Sequence, residues 1–133
     1  MIRKLWIILV VFAVAAVAAV AAVAEDAPRV SKEELKGMLD NPDVVILDVR
    51  RGKDWDASEF KITGARRIDP DQFESWKDQL PKEKTIVLYC ALKGEGTSAS
   101  LAQELIAAGY TKVYALKGGW REWSRTQYPL EAK

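Results

Sequence analysis

The chain has no histidine and a single cysteine, Cys90, among its 133 residues. Without histidine there is no Ser-His-Asp or Cys-His catalytic pair, and the usual near-neutral acid–base group is missing. One cysteine and no histidine leave nothing with which to build the common zinc sites, so neither a metal nor another cofactor is expected. A lone cysteine also cannot close an internal disulfide, so the fold must rest on its core. Charge of either sign is in short supply as an excess: 20 basic side chains face 19 acidic ones. Arg66-Arg67 is an isolated basic pair, not part of a stripe. Such a balance gives no long-range attraction for nucleic acid or anionic lipid, and no nucleic-acid partner is expected.

Long apolar runs are confined to one place. Met1-Ile2-Arg3-Lys4 is a short basic start, residues 5–23 are uncharged and increasingly alanine-rich, and Ala22-Val23-Ala24 precedes Glu25-Asp26. Basic, apolar and small-residue regions in that order are those of a secretory signal peptide. The expectation is a leader over residues 1–24 and one domain over 25–133, exported to the periplasm. A competing reading keeps residues 1–24 as an uncleaved inner-membrane anchor, because the run is close to the ~20 residues a spanning helix needs. The domain then still lies outside the cytoplasm, and residues 1–24 are its only membrane contact. Loss of Arg3 and Lys4 with the leader leaves 18 basic against 19 acidic side chains.

The rest of the chain alternates two kinds of segment. Residues 25–30 read as a short leader to the domain. Ser31-Lys32-Glu33-Glu34 has capping-box form, with Leu35, Met38 and Leu39 on one helical face, and Asn41-Pro42 ends that helix. Residues 44–49 are a continuous apolar run of strand length, as in a parallel strand covered on both faces. Residues 50–61 read as loop with room for a helical turn, and 62–68 as holding a short edge strand. Asp69-Pro70 starts a helix with Phe73, Trp76 and Leu80 inward, stopped by Pro81. Residues 86–89 form a second apolar strand. A helix from Ser98 carries the stripe Leu101, Ala102, Leu105, Ile106 and Ala108 and ends at Gly109; residues 113–116 are a further strand. Gly118-Gly119 turns the chain into a last amphipathic helix over 120–127. Trp55, Trp76, Trp120 and Trp123 suit helix-to-sheet packing. Buried strands alternating with helices predict an α/β domain with a mainly parallel sheet flanked by helices.

In such sheets ligands bind beyond the carboxyl ends of strands, and Cys90 is at one. The strand Thr85-Ile86-Val87-Leu88-Tyr89 leads into Cys90, then Ala91, Leu92, Lys93, Gly94, Glu95 and Gly96, then Thr97 and Ser98. A strand, a short glycine-bearing loop and a helix start point backbone N–H groups at one spot, where the helix dipole favours an anion. A thiolate is an anion. Composition alone favours a buried inert thiol; its position favours a sulfur nucleophile.

Four segments resemble rhodanese-like domains in order and spacing: Leu47-Asp48-Val49-Arg50, Ile62-Thr63-Gly64-Ala65, Ile86-Val87-Leu88-Tyr89-Cys90 and Val113-Tyr114-Ala115-Leu116-Lys117-Gly118-Gly119-Trp120. The resemblance covers residues 31–129. It implies a compact single α/β domain and a sulfurtransferase in which Cys90 carries sulfane sulfur as a persulfide between a small donor, of thiosulfate or persulfide type, and a thiophilic acceptor. It implies that Ala91, Leu92, Lys93, Gly94, Glu95, Gly96, Thr97 and Ser98 form the substrate-binding loop, and that Asp48 and Arg50 are a structural ion pair. The loop differs from the common pattern. Glu95 stands five residues after Cys90, where the family often has arginine; Thr97-Ser98 come two residues late; and Lys61 replaces a usual histidine.

Within the loop, Lys93 is read either as charge beside the sulfur or as a solvated lysine. Glu95 raises the cost of a nearby anion if it points inward; alternatively it points outward or pairs with Lys93 or Arg50. Gly94 and Gly96 allow close backbone approach, and Thr97 and Ser98 are expected to cap the helix. Three alternatives accompany the sulfurtransferase: a catalytically weak binding module with a protein partner, a cysteine phosphatase, and a thiol–disulfide exchanger. A phosphatase needs arginine where Glu95 stands, and an exchanger needs a second cysteine.

Overall fold

A computed structural model describes residues 26–133; the expected leader, residues 1–24, lies outside them. Five strands form one all-parallel sheet in the order β1 (Arg29–Val30), β6 (Val113–Leu116), β5 (Thr85–Tyr89), β2 (Val44–Asp48) and β4 (Arg66–Arg67). A two-stranded antiparallel ribbon joins β3 (Phe60–Ile62) to β7 (Leu130–Ala132). The helices are α1 (Lys32–Lys36), α2 (Gly52–Asp56), α3 (Phe73–Trp76), α4 (Gly96–Ala107) and α5 (Gly119–Arg125). The α/β expectation holds. Among the described residues no helix is long and apolar enough to cross a membrane.

The fully apolar strands are central and covered on both sides, as their composition requires. Alternation sorts their side chains between two cores. Leu47, Val49, Ile86, Leu88 and Cys90 pack with Phe73 and Trp76 of α3 and Leu101, Ala102 and Leu105 of α4. Ile46, Val87, Tyr89 and Leu116 pack with Leu35 of α1 and Trp123 of α5. Cys90 therefore falls on the α3/α4 face by simple continuation of the Ile86–Leu88 alternation. The β2–β5 register sets Asp48 beside Tyr89, which brings the carboxyl ends of the two central strands level.

Local signals account for the element ends. Ser31 accepts from Glu34 N while Glu34 accepts from Ser31 N, a complete capping box. Asp69 accepts from Asp71 N ahead of Pro70, as expected, although the turn it starts is 3-10 before α3 begins.

Several expectations need correction. Residues 29–30 are a strand and not a leader, because β6 offers its edge to them. The stretch 62–68 is split between two sheets: β3 pairs with the unforeseen β7, and only β4 lines the edge of the main sheet. α4 begins at Gly96, two residues before Ser98. Ile106 is not on the buried stripe; it is 41% exposed, at the edge of the buried arc near the helix end.

Candidate active site

The loop that follows β5 is shaped by two successive left-handed residues. Gly94 has φ +75° and Glu95 φ +58°, ψ +35°; the chain then enters α4 at Gly96 with ordinary helical angles. Glycine adopts such a conformation freely, whereas Glu95 is strained by about 1 kcal/mol. The expected freedom is thus used at Gly94 and not at Gly96. Glu95 N donates to Leu92 O at 3.1 Å, closing the turn.

The turn folds the start of α4 back onto Cys90. The Cys90 thiol donates to Ser98 Oγ at 3.5 Å, and Ser98 Oγ donates to Glu95 O at 3.2 Å. Cys90 is 1% exposed, packed in the α3/α4 core at the carboxyl end of the central strand. Neither Thr97 nor Ser98 caps the helix: the cap position is Glu95, whose side chain makes no capping hydrogen bond. The N–H groups of the first turn of α4 thus keep their capacity for another acceptor. Thr97 Oγ1 is buried with no hydrogen-bond partner among the described residues. Thr97 lines a pocket of about 230 Å³ with Gly96, Ser100, Leu92 and Arg51.

Backbone contacts fix Cys90 from the opposite side. Trp120 N donates to Cys90 O at 3.0 Å. A Cβ on Gly119 would stand 2.4 Å from that same oxygen, so only glycine fits there. The Gly118-Gly119-Trp120 segment is therefore packed directly on the backbone of the cysteine.

Glu95 settles differently from every expectation. Its partner is neither Lys93 nor Arg50 but Arg29 of β1, with Nε donating to Oε1 at 3.0 Å. The same guanidinium donates to Gly94 O at 3.5 Å, to Ala27 O, and to the Asp26 carboxylate. Sequence reasoning missed Arg29 because a two-residue strand carries no periodicity. Lys93 is exposed at the outer wall of the loop, as is Leu92, so Lys93 reads as a solvated lysine.

Asp48 and Arg50 do form a buried ion pair. Both side chains are 0% exposed, with Arg50 Nη2 2.7 Å and Nε 2.9 Å from Asp48 Oδ2. Arg50 Nη2 also donates to Phe60 O at 2.9 Å, and its guanidinium lies 4.1 Å from the Trp120 ring centroid. Tyr89 OH donates to Asp48 Oδ2 at 2.6 Å and accepts from Ile62 N at 3.1 Å. Burial first, and then the Asp48 charge, push the Tyr89 phenol far above its ordinary range, so it remains a donor. The network ties β2, β3, β5 and α5 together beneath the loop. Breaking one member of such a buried pair costs about 3–5 kcal/mol.

Residues 31–126 match the rhodanese-like domain family. The chain belongs to that family. It is 30% identical over 104 residues to the thiosulfate sulfurtransferase GlpE of Tolumonas auensis, covering 78% of this chain and 93% of that protein. The GlpE of Coxiella burnetii is 30% identical over 96 residues, covering 71% and 85%. Among solved structures, the rhodanese-like domain of an Anabaena protein superposes with a TM-score of 0.67 at 28% identity, covering 80% of both chains. The two GlpE relatives are themselves named thiosulfate sulfurtransferases.

Proposed function

We propose that the protein is a sulfurtransferase that carries sulfane sulfur on Cys90. One observation carries the reading: the cysteine directly follows the central strand β5, and its sulfur lies 3.5 Å from Ser98 Oγ, in the uncapped first turn of α4. The Cys90 thiolate attacks the outer sulfur of a donor such as thiosulfate. The new S–S bond forms on Cys90 as the sulfur–sulfonate bond breaks, and the electron pair leaves with sulfite. A thiophilic acceptor then attacks the outer sulfur of the persulfide, and the electron pair of the broken S–S bond returns to Cys90 as thiolate. No proton moves to or from carbon or oxygen, so a chain without histidine suffices. The persulfide anion is held by the amides of the α4 turn, and Thr97 Oγ1 supplies a further donor.

The small pocket beside Thr97 is the route by which the donor approaches; Arg51 at its rim is paired with Asp71 at 3.7 Å. The loop residues 91–98 enclose the persulfide, and Asp48 with Arg50 holds the loop ends. Glu95 is kept from opposing an anionic donor by its pairing with Arg29. Export of residues 25–133 to the periplasm, with residues 1–24 removed or retained as an anchor, is part of the same proposal.

Burial of the thiol favours a second reading, a binding module of the same fold in which Cys90 only fills the core. Thiocyanate formation from thiosulfate and cyanide by wild type and Cys90→Ser decides between them. The sulfurtransferase predicts activity that vanishes in the variant and one extra sulfur on Cys90 in the intact mass after donor treatment. Equal rates from the two proteins dismiss catalysis.

A further inference from the structure

On the flank of the loop away from Thr97 lies a larger cleft of about 690 Å³, bounded by Lys93 and Glu95 of the loop, the start of α1, and α5. Its charges do not cancel. Each carboxylate in its wall is already paired: Glu95 with Arg29 at 3.0 Å, Glu33 with Lys32 at 3.6 Å, and Glu122 with both Lys32 at 3.4 Å and Arg125 at 2.5 Å. Lys93, Lys117 and Arg121 line the same cleft from three different segments and are exposed. Among the described residues, none of the three side chains has an ion pair or hydrogen-bond partner. Leu92, 42% exposed, lines both this cleft and the small pocket beside Thr97.

We infer that this cleft docks an acidic polypeptide segment of a protein that exchanges sulfur with Cys90. Three unpaired cations around one concavity attract carboxylates, and low-dielectric walls focus their field. The volume suits a few residues of chain, and the exposed Leu92 gives an apolar neighbour of the acidic stretch a place to rest. A nucleic acid fits less well, because the domain as a whole carries no positive excess to hold a long polyanion. Leu92 is the wall between the two hollows, so a partner held in the cleft has its adjoining surface over the approach to the sulfur. The inference rests on the sulfurtransferase reading for the purpose of docking, but docking itself needs no chemistry at Cys90.

The test is therefore a binding measurement on the whole protein. A fluorescein-labelled peptide of Glu and Asp residues with one Leu is titrated by anisotropy, beside a Gln/Asn analogue and a single-stranded DNA oligomer of equal charge. The acidic peptide binds, the analogue does not, and added salt weakens binding steeply. Lys93→Glu, Lys117→Glu and Arg121→Glu each weaken it roughly fivefold or more, since attraction becomes repulsion. Lys112→Glu, an exposed lysine elsewhere, leaves it unchanged. Cys90→Ser also binds the peptide normally, so loss of sulfur transfer and loss of docking are read separately. Equal binding of the acidic and neutral peptides overturns the proposal. So does an effect of Lys112→Glu as large as those in the cleft, and DNA binding as tight as peptide binding overturns the polypeptide assignment.

Discussion

Arg29→Gln tests whether the loop is held by one guanidinium. Arg29 and Glu95 have side chains 23% and 12% exposed, so their charges are only partly hydrated. Removing the cation leaves the Glu95 carboxylate nearly buried and unpaired, which costs about 2–3 kcal/mol. Glu95→Gln alone removes a charge-assisted hydrogen bond but leaves no buried anion, and costs about 1 kcal/mol. In the double variant neither charge remains, so the costs do not add; a coupling of about 1–2 kcal/mol is expected. Urea unfolding of the four proteins at constant pH measures it. The functional readout runs in parallel. Arg29→Gln exposes an anionic donor to an uncompensated carboxylate in the loop and slows sulfur transfer, whereas the double variant recovers part of the rate. Single costs that add to within about 0.5 kcal/mol would refute the coupling. So would a double variant slower than Arg29→Gln, because charge would then not be what Arg29 contributes.

Two further outcomes follow from contacts near the cysteine. Gly64→Ala and Gly119→Ala both place alanine at positive φ, +79° and +52°, but nothing lies within 4 Å of a Cβ at 64 while Cys90 O is 2.4 Å from one at 119. The first should cost about 1 kcal/mol and lower the melting temperature by roughly 4–8 °C. The second adds displacement of the Cys90 carbonyl and its hydrogen bond, for a total of at least ~2–3 kcal/mol and a larger loss of activity; equal melting shifts would contradict the clash. Tyr89 gives a pH dependence of definite sign. Its raised value in the folded state means the neutral phenol stabilises the fold fully below the unfolded value of 10.0, and that stability is lost as pH rises beyond it. Above that point stability falls by about 1.4 kcal/mol per pH unit from this group alone, and Tyr89→Phe, though less stable at pH 8, should show a shallower alkaline decline. Parallel declines in unfolding experiments from pH 8 to 11 would count against a buried phenol.

What was legible in the sequence was what period and capping can carry. The apolar runs at 44–49 and 86–89 announced covered parallel strands, and Ser31 with Glu34 announced the capping box because both halves of that motif are local. The buried Asp48–Arg50 pair was legible only through resemblance, since a charge within an apolar run and another just after it name no partner. Contacts distant in sequence and short in span were invisible. Arg29 meets Glu95 across 66 positions through a two-residue strand, and β7 pairs with β3 from the far end of the chain. Tyr89 was legible only as the last residue of the apolar strand 86–89, because nothing local reveals that its hydroxyl bridges Asp48 and Ile62 N.

The glutamate at position 95 illustrates how a substitution that looks hostile to the chemistry is accommodated. Here two left-handed residues, Gly94 and Glu95, turn the backbone before α4 begins, and the carboxylate lies against β1. The strain of about 1 kcal/mol at Glu95 is offset by an ion pair that also anchors Gly94 O. The longer loop and the arginine in β1 are therefore one device: the extra residues carry the charge away from the sulfur, and Arg29 keeps it there. A loop of ordinary length with glutamate at this position would lack that escape, and transplanting Glu95 without Arg29 should inactivate it.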